Sequence, residues 1–183
     1  VDGRAEKQAQ SIMKKIGGKR LFTLLAGTPI MGKDCIAKII WLKEERPEVY
    51  QNAYRILDVN GYLKFRCTGK MVTELSGASG YGFDLKKKTW LSVLPLAGID
   101  MKKLPPLVKS TDLVGGLTAA AAMESGLLEG TPVFGGCDDV QAAAVGAGQQ
   151  EDGDVHIYLG TSAWVAAATK TGDSFKHGAA AIQ

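Results

Sequence analysis

Residues 131–148 read Thr-Pro-Val-Phe-Gly-Gly-Cys-Asp-Asp-Val-Gln-Ala-Ala-Ala-Val-Gly-Ala-Gly, and residues 154–162 read Asp-Val-His-Ile-Tyr-Leu-Gly-Thr-Ser. A short apolar strand over 132–134 runs into Gly135 and Gly136. Asp138 and Asp139 follow, then an alanine-rich helix from about 139 to 146. This unit sets a carboxylate at a helix N-terminus, where unpaired N–H groups and the macrodipole keep it ionised. Either aspartate can serve as a plain cap, since aspartate is among the best. The second unit is a hairpin. Strands over 155–159 and 164–168 flank Gly160, Thr161, Ser162 and Ala163. Gly-Thr-Ser is ordinary turn chemistry. It is also a phosphate cradle, because glycine admits an anion close to the backbone and the hydroxyls donate to it. A carboxylate and a phosphate cradle so near in sequence point to phosphoryl transfer from a nucleotide to a hydroxyl.

These segments resemble the FGGY carbohydrate kinases, the family of xylulokinase, gluconokinase and glycerol kinase. The family carries its catalytic aspartate in Pro-Val-x-x-Gly-x-x-Asp. Counting forward from Pro132 puts that aspartate at Asp139, and Asp138 falls where the family usually has a small residue. The family's Leu-Gly-Thr-Ser segment is matched by Leu159-Gly160-Thr161-Ser162. Weaker likeness extends over Asp2-Gly3-Arg4, Leu57–Leu63 and Thr68-Gly69, with xylulokinase the nearest branch. The resemblance implies an α/β chain of the actin-like ATPase, ribonuclease-H-like fold: two domains hinged about a cleft. Residues 1–150 would be the later part of the first domain, and 151–183 the opening of the second. It implies transfer from ATP, with Mg²⁺ on its phosphates, to a sugar or polyol hydroxyl, a ketopentose such as xylulose first. Asp139 is then base and sugar anchor, Asp2 and Arg4 lie near the sugar, and Gly160, Thr161 and Ser162 hold ATP phosphate. Cys137, Asp138 and Gln141 depart from common xylulokinases and leave gluconate, glycerol or ribulose as other acceptors.

The 183 residues suffice for one large domain or one and a half smaller ones. With 22 basic and 19 acidic residues the net charge is +3, too balanced and scattered to argue for nucleic acid. The tight run Lys86-Lys87-Lys88 reads as a solvated turn. Cys35, Cys67 and Cys137 form no Cys-x-x-Cys, which fits a reducing cytosol. No apolar run approaches the ~20 residues that span a bilayer. The chain opens without methionine inside what resembles a strand-to-helix unit. It reads as an internal piece of a larger enzyme, inactive alone, whose unpaired sheet edges favour pairing with another copy and so a homo-oligomer.

Elsewhere the periodicity predicts a helix over 5–16 with a glycine stop, and a helix over 33–46 ended by Pro47. Residues 21–25 fit strand or helix. Residues 55–58 suggest a strand. Asn60-Gly61 suggests a hairpin, although the shared face of Leu63 and Cys67 argues for a helix ending at Gly69. Residues 74–82 read as loop, 89–96 as helix, and 117–127 as a helix ending near Gly126, with 149–154 a linker. Gly146-Ala147-Gly148 closes a helix rather than opening one, so it is no dinucleotide fingerprint. His156 alternates within a strand and reads as structural. Two other classes stand beside the kinase. One is a non-catalytic relative of the same fold. The other is a hydrolase-like or metal-dependent enzyme using Asp138 and Asp139, for which only His156 and His177 are available as partners.

Overall fold

Glu6 and the pair Lys14-Lys15 sit at opposite ends of α1 (Glu6–Lys15), where each suits the helix dipole. The computed structural model describes residues 2–26, 28–84, 87–161 and 163–169. Gly17 and Gly18, with φ of 99° and 100°, end α1, and the Gly18 N–H donates to the Met13 carbonyl at 2.7 Å. The ambiguous run at 21–25 is helical, within α2 (Lys19–Ala26), and buries Phe22. α3 (Cys35–Glu45) lays Ile36, Ile39 and Ile40 against Ile12 and Met13 in one core with Tyr81, Leu91 and Leu94. Each such side chain is worth roughly 1.5–3 kcal/mol when fully buried. Pro47 does more than stop α3. It begins α4 (Pro47–Asn52), at the position where a missing N–H costs nothing.

Residues 55–58 form no strand. Instead the Ile56 N–H donates to the Lys103 carbonyl, and the Arg55 guanidinium donates to the carbonyls of Lys102 and Leu104. Asp58 then caps α5 (Val59–Thr68), accepting from the Gly61 N–H, and Gly69 closes the helix at φ 75°. Asn60-Gly61 is therefore helical. A Cβ at Gly61 would lie 2.6 Å from Asp58 Oδ1 and 2.8 Å from the Val72 carbonyl oxygen, so glycine lets α5 press on the next strand. The helix was expected for the wrong face: Leu63 is exposed, and the buried residues are Gly61 and Lys64.

β1 (Thr73–Glu74) and a 3₁₀ turn over 77–81 occupy the segment expected as loop. β2 (Phe83–Asp84) pairs antiparallel with β3 (Thr89–Trp90), which replaces the start of the helix expected over 89–96. The rest of that run is a 3₁₀ turn closed by Gly98 at φ 91°, and the Trp90 indole donates to the Pro105 carbonyl. After Pro105-Pro106, β4 (Leu107–Val108) lies parallel to β1. β5 (Leu113–Gly116), which the sequence did not announce, leads into α6 (Ala119–Ser125), capped by Thr118 and ended by Gly126. β6 (Pro132–Phe134) returns antiparallel to β5. Then come α7 (Asp139–Gly146) and the hairpin of β7 (Val155–Leu159) and β8 (Ala163–Ala167), in the expected order. Among the described residues the strands form four two-stranded sheets.

Candidate active site

The corner between β6 and α7 is built by hydrogen bonds from elements distant in sequence. The Gly135 and Gly136 N–H groups donate to the carbonyls of Asp112 and Ser110, each at 3.0 Å. Gly135 is buried, and a Cβ there would lie 2.1 Å from the Lys109 carbonyl oxygen, so only glycine allows the approach. Lys64 Nζ donates to the Gly135 carbonyl at 2.7 Å. Burial lowers the pKa of this ammonium, while the carboxylates of Asp58 and Glu74 act the other way.

Asp138 is the N-cap of α7, its Oδ1 accepting from the Val140 N–H at 3.0 Å. Half-buried, its carboxyl is pushed above the usual range chiefly by desolvation, against the backbone N–H groups of Val140 and Gln141. Asp139 is the first residue of the helix and exposed, and its side chain makes no hydrogen bond among the described residues. The two aspartates thus divide the work: one satisfies the helix end, the other projects into solvent beside it.

Gly160 and Thr161 lie at the tip of the β7–β8 hairpin, both exposed; Ser162 lies outside the described residues. The Tyr158 ring folds over Gly160, where a Cβ would meet it at 2.8 Å, and stacks on Trp164 at 5.0 Å. His156 is structural as expected, its Nδ1 bonded to Gln149 Oε1 at 2.8 Å and its ring edge-on to Trp164. His177 lies outside the described residues.

Asp2 and Arg4 form a two-pronged ion pair, with Arg4 Nη2 to Asp2 Oδ2 at 2.8 Å and Arg4 Nε to Asp2 Oδ1 at 3.0 Å. That guanidinium holds the exposed Asp2 carboxyl well below the usual carboxylate range. It also lies over the Trp41 ring at 4.7 Å. The pair borders a cavity of about 280 Å³ with Lys38, Trp41, Cys35 and Tyr81. No hydrogen bond or ion pair among the described residues joins it to Asp139 or Thr161. The expected site residues fall on three parts of the chain: the Asp2–Arg4 pair before α1, Asp139 at the start of α7, and Gly160 and Thr161 between β7 and β8. Reading the sequence missed Lys64, Glu74, Ser76 and Ser110, which shape the corner. No local pattern marks them, since the face of α5 expected to pack inward carried Leu63 and Cys67 rather than Lys64.

Residues 1–146 match the family model described as the FGGY family of carbohydrate kinases, N-terminal domain. The chain is 36% identical over 168 residues to the xylulose kinase of Lactococcus lactis, covering 91% of this chain and 33% of that one. It is 30% identical over 165 residues to the autoinducer-2 kinase of an Enterobacter species, covering 88% of this chain and 31% of that one. The solved xylulose kinase of Rhodospirillum rubrum superposes with a TM-score of 0.87 at 28% identity, over 96% of this chain and 36% of the other. The chain thus spans about a third of the length of the relatives it matches. Its fold is α/β and reproduces part of the actin-like ATPase architecture of those sugar kinases. On this matched stretch and this shared fold, the chain belongs to the FGGY family of carbohydrate kinases.

Proposed function

We propose that the whole protein transfers the γ-phosphoryl group of ATP to a hydroxyl of a ketopentose such as xylulose, with Asp139 as general base. The observation that carries this reading is the division of labour at α7: Asp138 takes the cap, and Asp139 keeps an uncommitted carboxylate at the helix N-terminus. A sugar hydroxyl gives up its proton as its oxygen bonds phosphorus, and a positioned carboxylate that accepts the proton lowers that barrier. Phosphoryl transfer has a loose transition state, so fixing the hydroxyl in line counts for more than base strength. In this reading 1–150 belong to the first domain and 151–183 open the second. Gly160 and Thr161 receive ATP phosphate, as would Ser162, and Asp2 and Arg4 border the sugar side. Mg²⁺ enters as the counter-ion of the ATP phosphates.

The likeness to a xylulose kinase at 36% identity favours a ketopentose. The likeness to an autoinducer-2 kinase at 30% identity supports a second reading, the same chemistry with autoinducer-2 as acceptor. Both are tested by ADP release from the whole protein with Mg-ATP across a panel of xylulose, ribulose, gluconate, glycerol and autoinducer-2. The expected outcome is highest kcat/KM for xylulose. Highest turnover on autoinducer-2 would favour the second reading, and no ADP release with any acceptor would count against both.

A further inference from the structure

Behind the β6–α7 corner lies a buried polar chain that the reading of Asp139 as base does not use. Glu74 is 3% exposed and Ser76 2% exposed. Glu74 Oε1 accepts from the Ser110 hydroxyl at 2.9 Å, while Oε2 accepts from the Ser76 N–H at 2.9 Å and from the Ser76 hydroxyl. The Ser76 proton is thereby committed to Glu74. Its oxygen then faces the Asp138 backbone N–H with a lone pair, and that N–H donates to Ser76 Oγ at 2.9 Å, across 62 residues of sequence. A hydroxyl free to rotate could present proton or lone pair to the corner; one tied to a carboxylate presents the lone pair alone.

The Asp138 N–H is a point of leverage. It lies at the N-cap of α7, one peptide before Asp139, so its direction sets the first turn from which the Asp139 carboxylate projects. Asp138's side chain is occupied inside the helix and cannot anchor the corner to the body. We propose that Ser76, its hydroxyl oriented by Glu74, is a positioning residue that fixes where Asp139 points. This rests on Asp139 being the base. Ser76 touches neither reactant and acts through the backbone of Asp138. A shift near 1 Å in a reacting group can cost about 100-fold in rate, so loss of one directional bond at this place is felt in kcat.

The test uses the whole protein and a steady-state assay of ADP release, with a double-mutant cycle. Ser76→Ala is expected to lower kcat by about 10- to 100-fold, with the ATP KM within about 2-fold of the parent. Placed in an Asp139→Asn background, the same change should remove less than about 2-fold more, because it works through the group already lost. Amide hydrogen exchange at Asp138 should quicken about 5- to 10-fold while α3 is unaffected. Ser76→Cys, which fills the site with a slightly larger group that is a weak acceptor, should follow Ser76→Ala and guards against collapse of the alanine variant. If Asp139→Asn cuts kcat deeply while both Ser76 variants lose less than about 2-fold, or if the losses multiply in the double variant, the positioning role is overturned. If Asp139→Asn itself leaves kcat unchanged, the failure belongs to the assignment of the base.

Discussion

Asp138 and Asp139 are chemically identical neighbours, and the structure separates them by what each touches. Asp138 satisfies the helix end, so Asp138→Ala should cost about 1 kcal/mol, read from the urea midpoint, whereas Asp138→Asn keeps the cap. Burial raises the carboxyl's folded pKa above its unfolded value. The folded chain therefore holds the proton more tightly, and this group's contribution to stability falls as pH rises from the ordinary carboxylate value through the raised one. Above that window the cost of burying the charge is fully present; below the ordinary value it is absent. Midpoints measured across the acid range should show this slope in the parent and lack it in Asp138→Asn. An identical slope in both would remove Asp138 as its source. At the hairpin, Thr161→Val should weaken ATP use of the whole protein by roughly 10-fold, about one hydrogen bond to a charged group, and leave the sugar KM unchanged. Unaltered ATP kinetics would reduce Gly-Thr-Ser to an ordinary turn.

The β6–α7 corner depends on two glycines with different reasons. Gly135 needs space, because the Lys109 carbonyl oxygen occupies the place of a Cβ. Gly136 needs a left-handed backbone, at φ 69°, and has open space around it. Gly135→Ala should therefore cost about 3 kcal/mol or more, the upper end of overpacking, because the clash is with backbone. Gly136→Ala should cost about 1–2 kcal/mol, the penalty of that backbone for an L side chain. Denaturant titration distinguishes them, and equal costs would contradict this division. The sequence announced elements that carry their own punctuation: α1 with its glycine stop, α5 once Gly69 was weighed, α6 with Gly126, and the final hairpin. It did not announce β1 and β4, because two-residue strands have no periodicity and their pairing joins Thr73 to Leu107. The helix expected over 89–96 failed because its apolar residues serve a short strand and a 3₁₀ turn packed on α1 and α3. Asp139 and the hairpin were legible as local motifs. Lys64, Glu74, Ser76 and Ser110 were not, since their partners lie far away in the chain and only folding brings them together.

Across the whole molecule, packing is uneven. The core joins α1, α2, α3 and α4 with the turns around Tyr81 and Leu94, whereas α7 buries no residue. On the hairpin, Ile157 is 65% exposed, Leu159 81% and Val165 68%, and in the described structure β7 and β8 pair with each other alone. Unpaired edges that carry apolar side chains associate readily with other chains. The 183-residue chain should elute from a sizing column earlier as its concentration rises, and Ile157→Lys should reduce that shift; a monomer at every concentration would contradict it. Exchange of β7 and β8 amides should be at least about 100-fold faster than that of α3 amides, as expected of a unit with little buried surface. The proposed role of Asp139 centres on the corner held against the well-packed body. Its most direct test compares kcat for ADP release in the whole protein and its Asp139→Asn and Asp138→Asn variants, with Mg-ATP and the best acceptor. Asp139→Asn should lower kcat by about 10²–10⁴-fold and Asp138→Asn by much less; the reverse order would overturn Asp139 as the base.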